Sequence, residues 1–102
     1  MKLHKYPRTH HLQGSRFQPG DEDLDSVAWE AVVGRYVVAE EKMDGANAGL
    51  SFDATGRVWL QSRGHFLTGG VREKHFAPFK QWAHTHAPEL FAVLGTRFVL
   101  YG

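Results

Sequence analysis

Residues 46–63 read Ala-Asn-Ala-Gly-Leu-Ser-Phe-Asp-Ala-Thr-Gly-Arg-Val-Trp-Leu-Gln-Ser-Arg, two alternating segments on either side of the turn residues Ala-Thr-Gly. In the first segment, alternation separates two sets, Ala46, Ala48, Leu50 and Phe52 on one face and Asn47, Gly49, Ser51 and Asp53 on the other. The pattern predicts an antiparallel β-hairpin that turns near residue 55. Such a hairpin brings the start of its first strand, close to Lys42, alongside Arg63 at the end of its second. We therefore expect these two cationic side chains to converge.

The segment before the hairpin carries a lysine in an unusual setting. Residues 35–41 contain Tyr-Val-Val-Ala and predict a strand, which would deliver Lys42 at its end, just before a turn containing Gly45. A lysine that acts as a nucleophile must lose its proton and hold a fixed position, so this setting favours a chemical role for Lys42. The alternative is a surface lysine in a β-turn.

The N-terminal third has less regular patterning. Residues 1–20 contain two prolines and two glycines without periodicity, and we expect an extended arm or ordered loop. Residues 8–16 are rich in hydrogen-bond donors suited to a phosphate or a base edge, although a tethered polar arm explains them equally simply. Residues 21–31 combine acidic groups with apolar residues at three- and four-residue spacings, which predicts a short helix ending at Gly34.

The segment after the hairpin predicts a loop, helices and a last strand. Residues 64–70 contain three glycines and predict a loop, and residues 73–94 predict a helix interrupted where Pro88 begins a second, shorter one. We expect four aromatic side chains in the core: Trp59, Phe76, Phe79 and Trp82. Residues 96–101 have strand composition, and because Gly102 follows at once we expect the chain to be part of a longer domain.

Composition limits the possible functions. A chain of 102 residues suits one domain, and no apolar run approaches the ~20 residues that span a bilayer. Without a signal sequence or a cysteine, the chain fits a cytoplasmic protein and has no thiolate chemistry or disulfides. The formal net charge of +1 excludes a polycation that holds nucleic acid by bulk charge, although a basic arm precedes an acidic cluster of Asp21, Glu22, Asp23 and Asp25. The pairs His10-His11 and His84-x-His86 lack carboxylates at ligand spacing, so we expect exposed histidines and no metal site there.

Three short motifs occur in a recognisable order. Lys42-Met43-Asp44-Gly45 resembles the Lys-x-Asp-Gly motif of the covalent nucleotidyltransferases, the superfamily of polynucleotide ligases and messenger-RNA capping enzymes. Ser62-Arg63-Gly64 resembles the next motif of that superfamily. Residues 97–102 resemble the strand leading into the third motif, which continues in the family with a glutamate after the glycine. The order and spacing of the three motifs support this resemblance more strongly than any single motif does.

Within the superfamily, the chain most resembles ATP-dependent RNA ligases of the phage T4 RNA ligase 2 type. The features of this resemblance are Asn47 five residues after the lysine, Glu41 just before it, and a short arm in place of a large N-terminal domain. Asp44 departs from that type, which often has histidine there, whereas other ligases have aspartate. Asp44 therefore leaves DNA open as an alternative substrate.

The resemblance implies an α+β fold built on antiparallel β-sheet with flanking helices, the N-terminal part of a ligase-type nucleotidyltransferase (ATP-grasp-like) domain. It implies that Lys42 attacks the α-phosphate of ATP, with Mg²⁺ present, to form lysyl-AMP, and that AMP then passes to a 5′-phosphate end before sealing by a 3′-hydroxyl. Arg63 is implied to lower the lysine pKa and to bind the nucleotide. Asp44 is implied to have a catalytic role, and Glu41, Gly45 and Asn47 are implied to bind the nucleotide. Because later family motifs lie outside these residues, we expect the 102 residues alone to label poorly and to seal nothing.

Duller interpretations stay open for several of these residues. Asp44 could satisfy its own turn, Asn47 could be a strand-edge polar residue, and Glu41 could be merely solvated. Gly45 serves backbone conformation under either interpretation. Two alternative functions remain: a non-catalytic nucleotide- or nucleic-acid-binding module, and a DNA ligase or capping-type relative that shares the first step.

Overall fold

A computed structural model describes residues 1–17, 19–20 and 25–102. The chain divides into two compact units. The larger contains Met1–Tyr6 and Gly45–Gly102, and the smaller contains Pro7–Asp44. Each unit is described by itself below.

The larger unit is built on the predicted hairpin, which is confirmed. Strands β3 (Gly49–Phe52) and β4 (Val58–Gln61) pair antiparallel with Leu50 opposite Leu60. The last predicted strand is confirmed over a shorter length as β5 (Leu100–Tyr101), which pairs antiparallel with β3, so the strand order is β4-β3-β5. Beyond β5, the backbone N–H and C=O of Gly102 both bond to Ala48, which extends this pairing by one residue.

A carboxylate closes the turn between β3 and β4. Oδ1 of Asp53 accepts hydrogen bonds from the Thr55 backbone N–H and hydroxyl at 2.9 and 2.6 Å and from the Arg57 N–H at 3.1 Å. Gly56 has a φ of 81°, which side chains other than glycine rarely adopt. The turn predicted near residue 55 is therefore confirmed.

Helix α1 (Ala77–Leu94) follows a 3-10 helix at Val71–Phe76. The helix between residues 73 and 94 is confirmed, but the prediction that Pro88 begins a second helix is wrong, because α1 continues through Pro88. A proline inside a helix removes one backbone hydrogen bond. The apolar contacts on both sides of it, from Phe79 and Ala83 before to Leu90 and Leu94 after, keep the two halves on the same surface.

The core lies between α1 and one face of the hairpin. Leu50, Phe52, Leu60 and Ala83 are buried, and half-buried apolar side chains from α1, β4 and the following loop pack around them. Full burial of an aliphatic or aromatic side chain contributes roughly 1.5–3 kcal/mol, so this small cluster is the main source of stability in the unit. Phe76 is buried and Phe79 packs against the cluster as predicted, but the prediction for Trp82 is wrong: it is 44% exposed, one position away from Ala83 and turned off the buried stripe.

The opposite face of the sheet is covered by residues 1–6. The backbone oxygen of His4 accepts hydrogen bonds from Nε2 of Gln61 at 2.7 Å and from the hydroxyl of Tyr101 at 2.8 Å. Tyr6 packs edge-on against Tyr101, with 5.1 Å between ring centroids. Part of the predicted arm is therefore attached to the sheet, and Gln61 is buried with its amide satisfied.

The smaller unit has little regular structure. Strand β1 (His11–Leu12) pairs parallel with β2 (Ser26–Val27), and a 3-10 helix spans Trp29–Ala31. Residues 21–24 of the predicted helix over 21–31 lie outside the described residues. The rest of that helix prediction is wrong, because residues 26–27 are extended and only one 3-10 turn follows.

The strand predicted over residues 35–41 is also wrong. Residues 36–48 have no regular secondary structure, and Tyr36, Val37 and Val38 are 95%, 63% and 67% exposed. β-propensity reflects how well a side chain packs on a pleated surface, and no strand in the described part of the chain offers such a surface to this segment.

The chain is thus a mixed α/β protein with a small antiparallel sheet and, among the described residues, one α-helix. No helix in the described ranges has the length and apolar character needed to cross a membrane.

Candidate functional site

The segment around Lys42 is exposed and irregular. Glu41, Lys42 and Asp44 all lie at the surface without a hydrogen bond or ion pair to any described residue. The predicted tight turn is not observed: Gly45 does not have a positive φ, and a Cβ added there would meet nothing within 4 Å. Neither the turn-closing role of Asp44 nor a conformational requirement for Gly45 is therefore visible in this conformation.

Asn47 occupies a better-defined position. It is half-buried and comes immediately before Ala48, whose N–H donates to the Gly102 oxygen at 2.8 Å and whose oxygen accepts from the Gly102 N–H at 3.0 Å. This pairing fixes the chain next to Asn47 at the edge where β3 begins. The backbone position of Asn47 is therefore set by the start of the sheet.

Arg63 lies at the tip of a short turn that extends β4. The Ser62 N–H donates to the His65 oxygen at 2.9 Å, and the Ser62 hydroxyl also donates to that oxygen, at 3.2 Å. Gln61 and Phe66 form an antiparallel bridge, and the Leu67 N–H donates to the Leu60 oxygen at 2.8 Å. The backbone of the turn is thus held at its base while Arg63 itself is exposed. Such a side chain is available to contact an anionic ligand.

The proposed site residues are divided between the two units. Gly45, Asn47 and Arg63 belong to the larger unit, and Glu41, Lys42 and Asp44 to the smaller. The convergence of Lys42 with Arg63 stays a prediction from the hairpin.

Comparison with protein families gives one finding. The family model described as RNA ligase matches residues 35–102, which is two thirds of the chain. The chain belongs to the RNA ligase family. The match begins just before the irregular segment and includes all six site residues, the hairpin, α1 and β5. Comparison with curated proteins found no match. Comparison with solved structures found none either.

Membership in the RNA ligase family implies a nucleic-acid substrate in general terms. It agrees with the resemblance read from three motifs, because the matched residues contain all three. The family supports ligase or nucleotidyltransferase chemistry at this coarse level.

The structure adds a carboxylate that the sequence did not single out. Glu73 is 6% exposed, and its two carboxylate oxygens accept hydrogen bonds from the backbone N–H groups of Thr68 at 2.9 Å and Gly69 at 2.6 Å. Lys80 pairs with the same carboxylate at 3.1 Å. Burial raises the pKa of Glu73, but these three donors outweigh it and hold the pKa below its usual range. The spacing of Glu73 and Lys80, two helical turns apart, was the available signal.

Asp53 is the second such carboxylate. Besides closing the hairpin turn, it accepts a hydrogen bond from Nε1 of Trp59 at 2.8 Å. The Thr55 hydroxyl and the Trp59 indole, in that order, lower the pKa of Asp53 far below its ordinary value. Asp53 therefore fixes both the hairpin turn and a tryptophan on β4.

The histidines do not form a metal centre in the described ranges, where no group of three or more His, Asp or Glu could hold a metal ion. His10 and His84 are exposed as expected, whereas His11 and His86 are half-buried. Nδ1 of His86 lies 2.8 Å from the Trp82 backbone oxygen, which is an ordinary contact within α1.

Proposed function

We propose that the protein is an ATP-dependent RNA ligase that works through a covalent lysyl-AMP intermediate on Lys42. The observation that carries the proposal is the RNA ligase family match over residues 35–102, within which Lys42 is the lysine of a Lys-x-Asp-Gly sequence. The exposed position of Lys42 supports it, because a nucleophile that must meet both ATP and a polynucleotide end has to be reachable.

The chemistry requires three successive nucleophilic displacements at phosphorus. Neutral Nζ of Lys42, having given its proton to solvent, attacks the α-phosphorus of ATP; a nitrogen–phosphorus bond forms and pyrophosphate leaves. An oxygen of a 5′-phosphate end then attacks the same phosphorus, and the nitrogen–phosphorus bond breaks. Finally the oxygen of a 3′-hydroxyl, its proton passing to solvent, attacks the phosphorus of the 5′-phosphate end; a phosphodiester forms, the phosphoanhydride bond to AMP breaks, and AMP leaves.

The other residues of the site have supporting roles in this proposal. Arg63, exposed on its turn, binds nucleotide phosphate or ribose. Asn47 is suited to contact a phosphate through its amide, and Glu41 to contact the nucleotide. Gly45 lets the backbone approach the ligand closely, in keeping with the open space around it.

The residues next to Lys42 include ligand types that suit Mg²⁺. The carboxylates of Glu41 and Asp44 are exposed oxygen donors, the kind that Mg²⁺ prefers, and this ion commonly takes only one or two protein carboxylates. When bound there, it would neutralise negative charge on the pyrophosphate leaving group.

Finer assignments belong to the same proposal. We place the protein in the phage T4 RNA ligase 2 type, with an ATP-grasp-like nucleotide-binding domain that residues 1–102 contribute to and residues 1–20 precede as an arm, and in the cytoplasm. The substrate is RNA with a 5′-phosphate and a 3′-hydroxyl. The RNA ligase match favours RNA over DNA, in spite of Asp44.

The test is covalent labelling with α-labelled ATP and magnesium, followed by a denaturing gel. The assay uses the full-length protein. The parent should carry one AMP that pyrophosphate removes, and Lys42→Ala should carry none.

Lys74 provides the matched control, since it is another exposed lysine of the matched region, and Lys74→Ala should label like the parent. A parent that forms no adduct under any nucleotide would overturn the proposal in favour of a non-catalytic binding module. An adduct formed from GTP instead of ATP would point to a capping-type relative, and sealing of nicked DNA alone would point to a DNA ligase.

A further inference from the structure

A cavity of about 320 Å³ lies in the larger unit, and none of the six proposed site residues lines it. It is bounded by β4, by the loop over residues 67–69 and by α1. The lining residues are Arg57, Val58, Trp59, Leu60, Leu67, Thr68, Gly69, Lys80 and His84. Its volume lies at the lower end of the roughly 300–1,000 Å³ found for ligand pockets.

The β4 wall of this cavity is fixed by Asp53. This carboxylate bonds both the Arg57 backbone N–H and the Trp59 indole, and the Arg57 guanidinium lies over the Trp59 ring with 4.5 Å between its Cζ and the ring centroid. A guanidinium stacked on an aromatic ring keeps its N–H donors available at its edges. Arg57 makes no ion pair within the described part of the chain.

The opposite wall is fixed by Glu73 in a similar way. Its carboxylate bonds the amides of Thr68 and Gly69 and one donor of Lys80. An ammonium group has three donors, so two remain on Lys80, whose side chain is 31% exposed. His84 follows Lys80 by one helical turn and lines the same cavity with an imidazole that has no hydrogen-bond partner among the described residues.

The ionisable side chains that line the cavity are all basic. Arg57 and Lys80 are cationic, His84 adds a donor, and the two neighbouring carboxylates, Asp53 and Glu73, are occupied by backbone and side-chain donors in the walls. The lining contains no acidic residue. Arg57 makes no ion pair within the described residues, and Lys80 keeps two N–H donors beyond its pair with Glu73, so both side chains retain donors suited to a phosphate group.

We propose that this cavity binds the phosphodiester backbone of the RNA substrate, outside the site of adenylyl transfer. The choice of RNA rests on the proposed function, since a ligase must hold a strand on either side of the joined ends. Phosphate contacts position a strand without reading its sequence, and arginine and lysine side chains with backbone groups and hydroxyls are the usual donors. The exposed Thr68 hydroxyl and the cationic pair form such a set.

The test measures binding of a labelled single-stranded RNA oligonucleotide by fluorescence anisotropy over a range of salt concentrations. The double variant Arg57→Gln/Lys80→Gln removes both charges and keeps a donor for Glu73. We expect its RNA affinity to fall roughly tenfold. The slope of log affinity against log salt should decrease in magnitude by about 0.7 for each lost phosphate contact.

Arg72→Gln/Lys74→Gln is the matched control, because it removes the same charge from exposed residues that do not line the cavity. It should keep the parent slope, and thermal unfolding checks that all variants fold. Equal slopes of log affinity against log salt for the two double variants would overturn the proposal. Displacement of the RNA from this cavity by ATP, added at the same phosphate concentration as the RNA, would also overturn it. The proposed function is tested separately by AMP labelling of the parent. If the parent takes up no AMP but the salt slope of RNA binding still depends on Arg57 and Lys80, the ligase chemistry is rejected and a nucleic-acid site is retained.

Discussion

Two carboxylates hold the backbone of the larger unit where neither strand nor helix does so. Asp53 joins the hairpin turn to Trp59, and Glu73 joins residues 68–69 to Lys80. Hydrogen bonds made only to the ionised form lower the pKa of a carboxyl in the folded state. Both residues therefore link folding to proton binding.

The sign of that linkage gives a prediction. A carboxyl whose pKa is lower in the folded state stabilises the fold fully above its unfolded pKa, about 4, and loses this contribution as the pH falls below that value. We expect the melting temperature to be level near neutral pH and to fall from about pH 5 towards pH 3. Asp53→Asn and Glu73→Gln should each melt lower at pH 7 and show a shallower decline in acid, measured by circular dichroism.

Glu89 supplies the comparison at this scale, since it is an exposed carboxylate on α1 without a described partner. Glu89→Gln should reproduce the parent's pH profile. A parent-like profile in both Asp53→Asn and Glu73→Gln would contradict the assignment of the acid transition to these two groups.

At the scale of elements, the sheet depends on a close approach over Gly49. A Cβ built there would lie 2.8 Å from Cγ of Gln61 and 3.2 Å from Cδ1 of Tyr101, and both of these side chains bond the His4 oxygen. Glycine is needed here for space, because its φ is not positive.

Gly49→Ala should therefore destabilise the protein by about 1–3 kcal/mol, since overpacking displaces neighbours that cannot move freely. Chemical denaturation measures the change in the free energy of unfolding. Gly64→Ala is the control, with nothing within 4 Å of its added Cβ, and should change stability by less than about 0.5 kcal/mol. Equal effects of the two substitutions would show that residues 1–6 do not constrain this face of the sheet.

The same elements show what the sequence could and could not predict. The hairpin and the last strand were predictable because period-2 alternation and turn chemistry are local signals. The strand over 35–41 was not, because a strand also needs a partner, and the composition of Tyr36 to Val38 does not reveal that no described strand pairs with this segment. The helix break predicted at Pro88 was wrong for a related reason. The apolar contacts of Leu90 and Leu94 with the buried cluster outweigh the local tendency of proline to end a helix. For the site, the residue types of three motifs were readable, whereas the contacts of Glu73 depend on tertiary structure.

At the scale of the whole molecule, the lysine motif crosses from one compact unit to the other between Asp44 and Gly45. Lys42 lies in an exposed, irregular segment, while Arg63 and Asn47 belong to the unit built on the sheet. Under the proposed function, nucleotide binding is expected to restrict the segment around Lys42, because a nucleophile must be held in a fixed position for attack.

Limited proteolysis with trypsin tests this expectation, since exposed irregular segments are preferred cleavage sites. Without nucleotide, cleavage after Lys42 should be rapid. With ATP and magnesium it should slow strongly and stay slow after free nucleotide is removed, because AMP on Nζ abolishes the charge that trypsin recognises. An α,β-methylene analogue of ATP, which can bind but cannot transfer AMP, should protect only while it is present. Cleavage after Arg35, an exposed site in the smaller unit, reports whether the protease itself is affected. If ATP and the analogue protect Lys42 equally and both effects vanish on washing, the nucleotide binds near Lys42 without reacting there, and the covalent step of the proposal is rejected while nucleotide binding is retained.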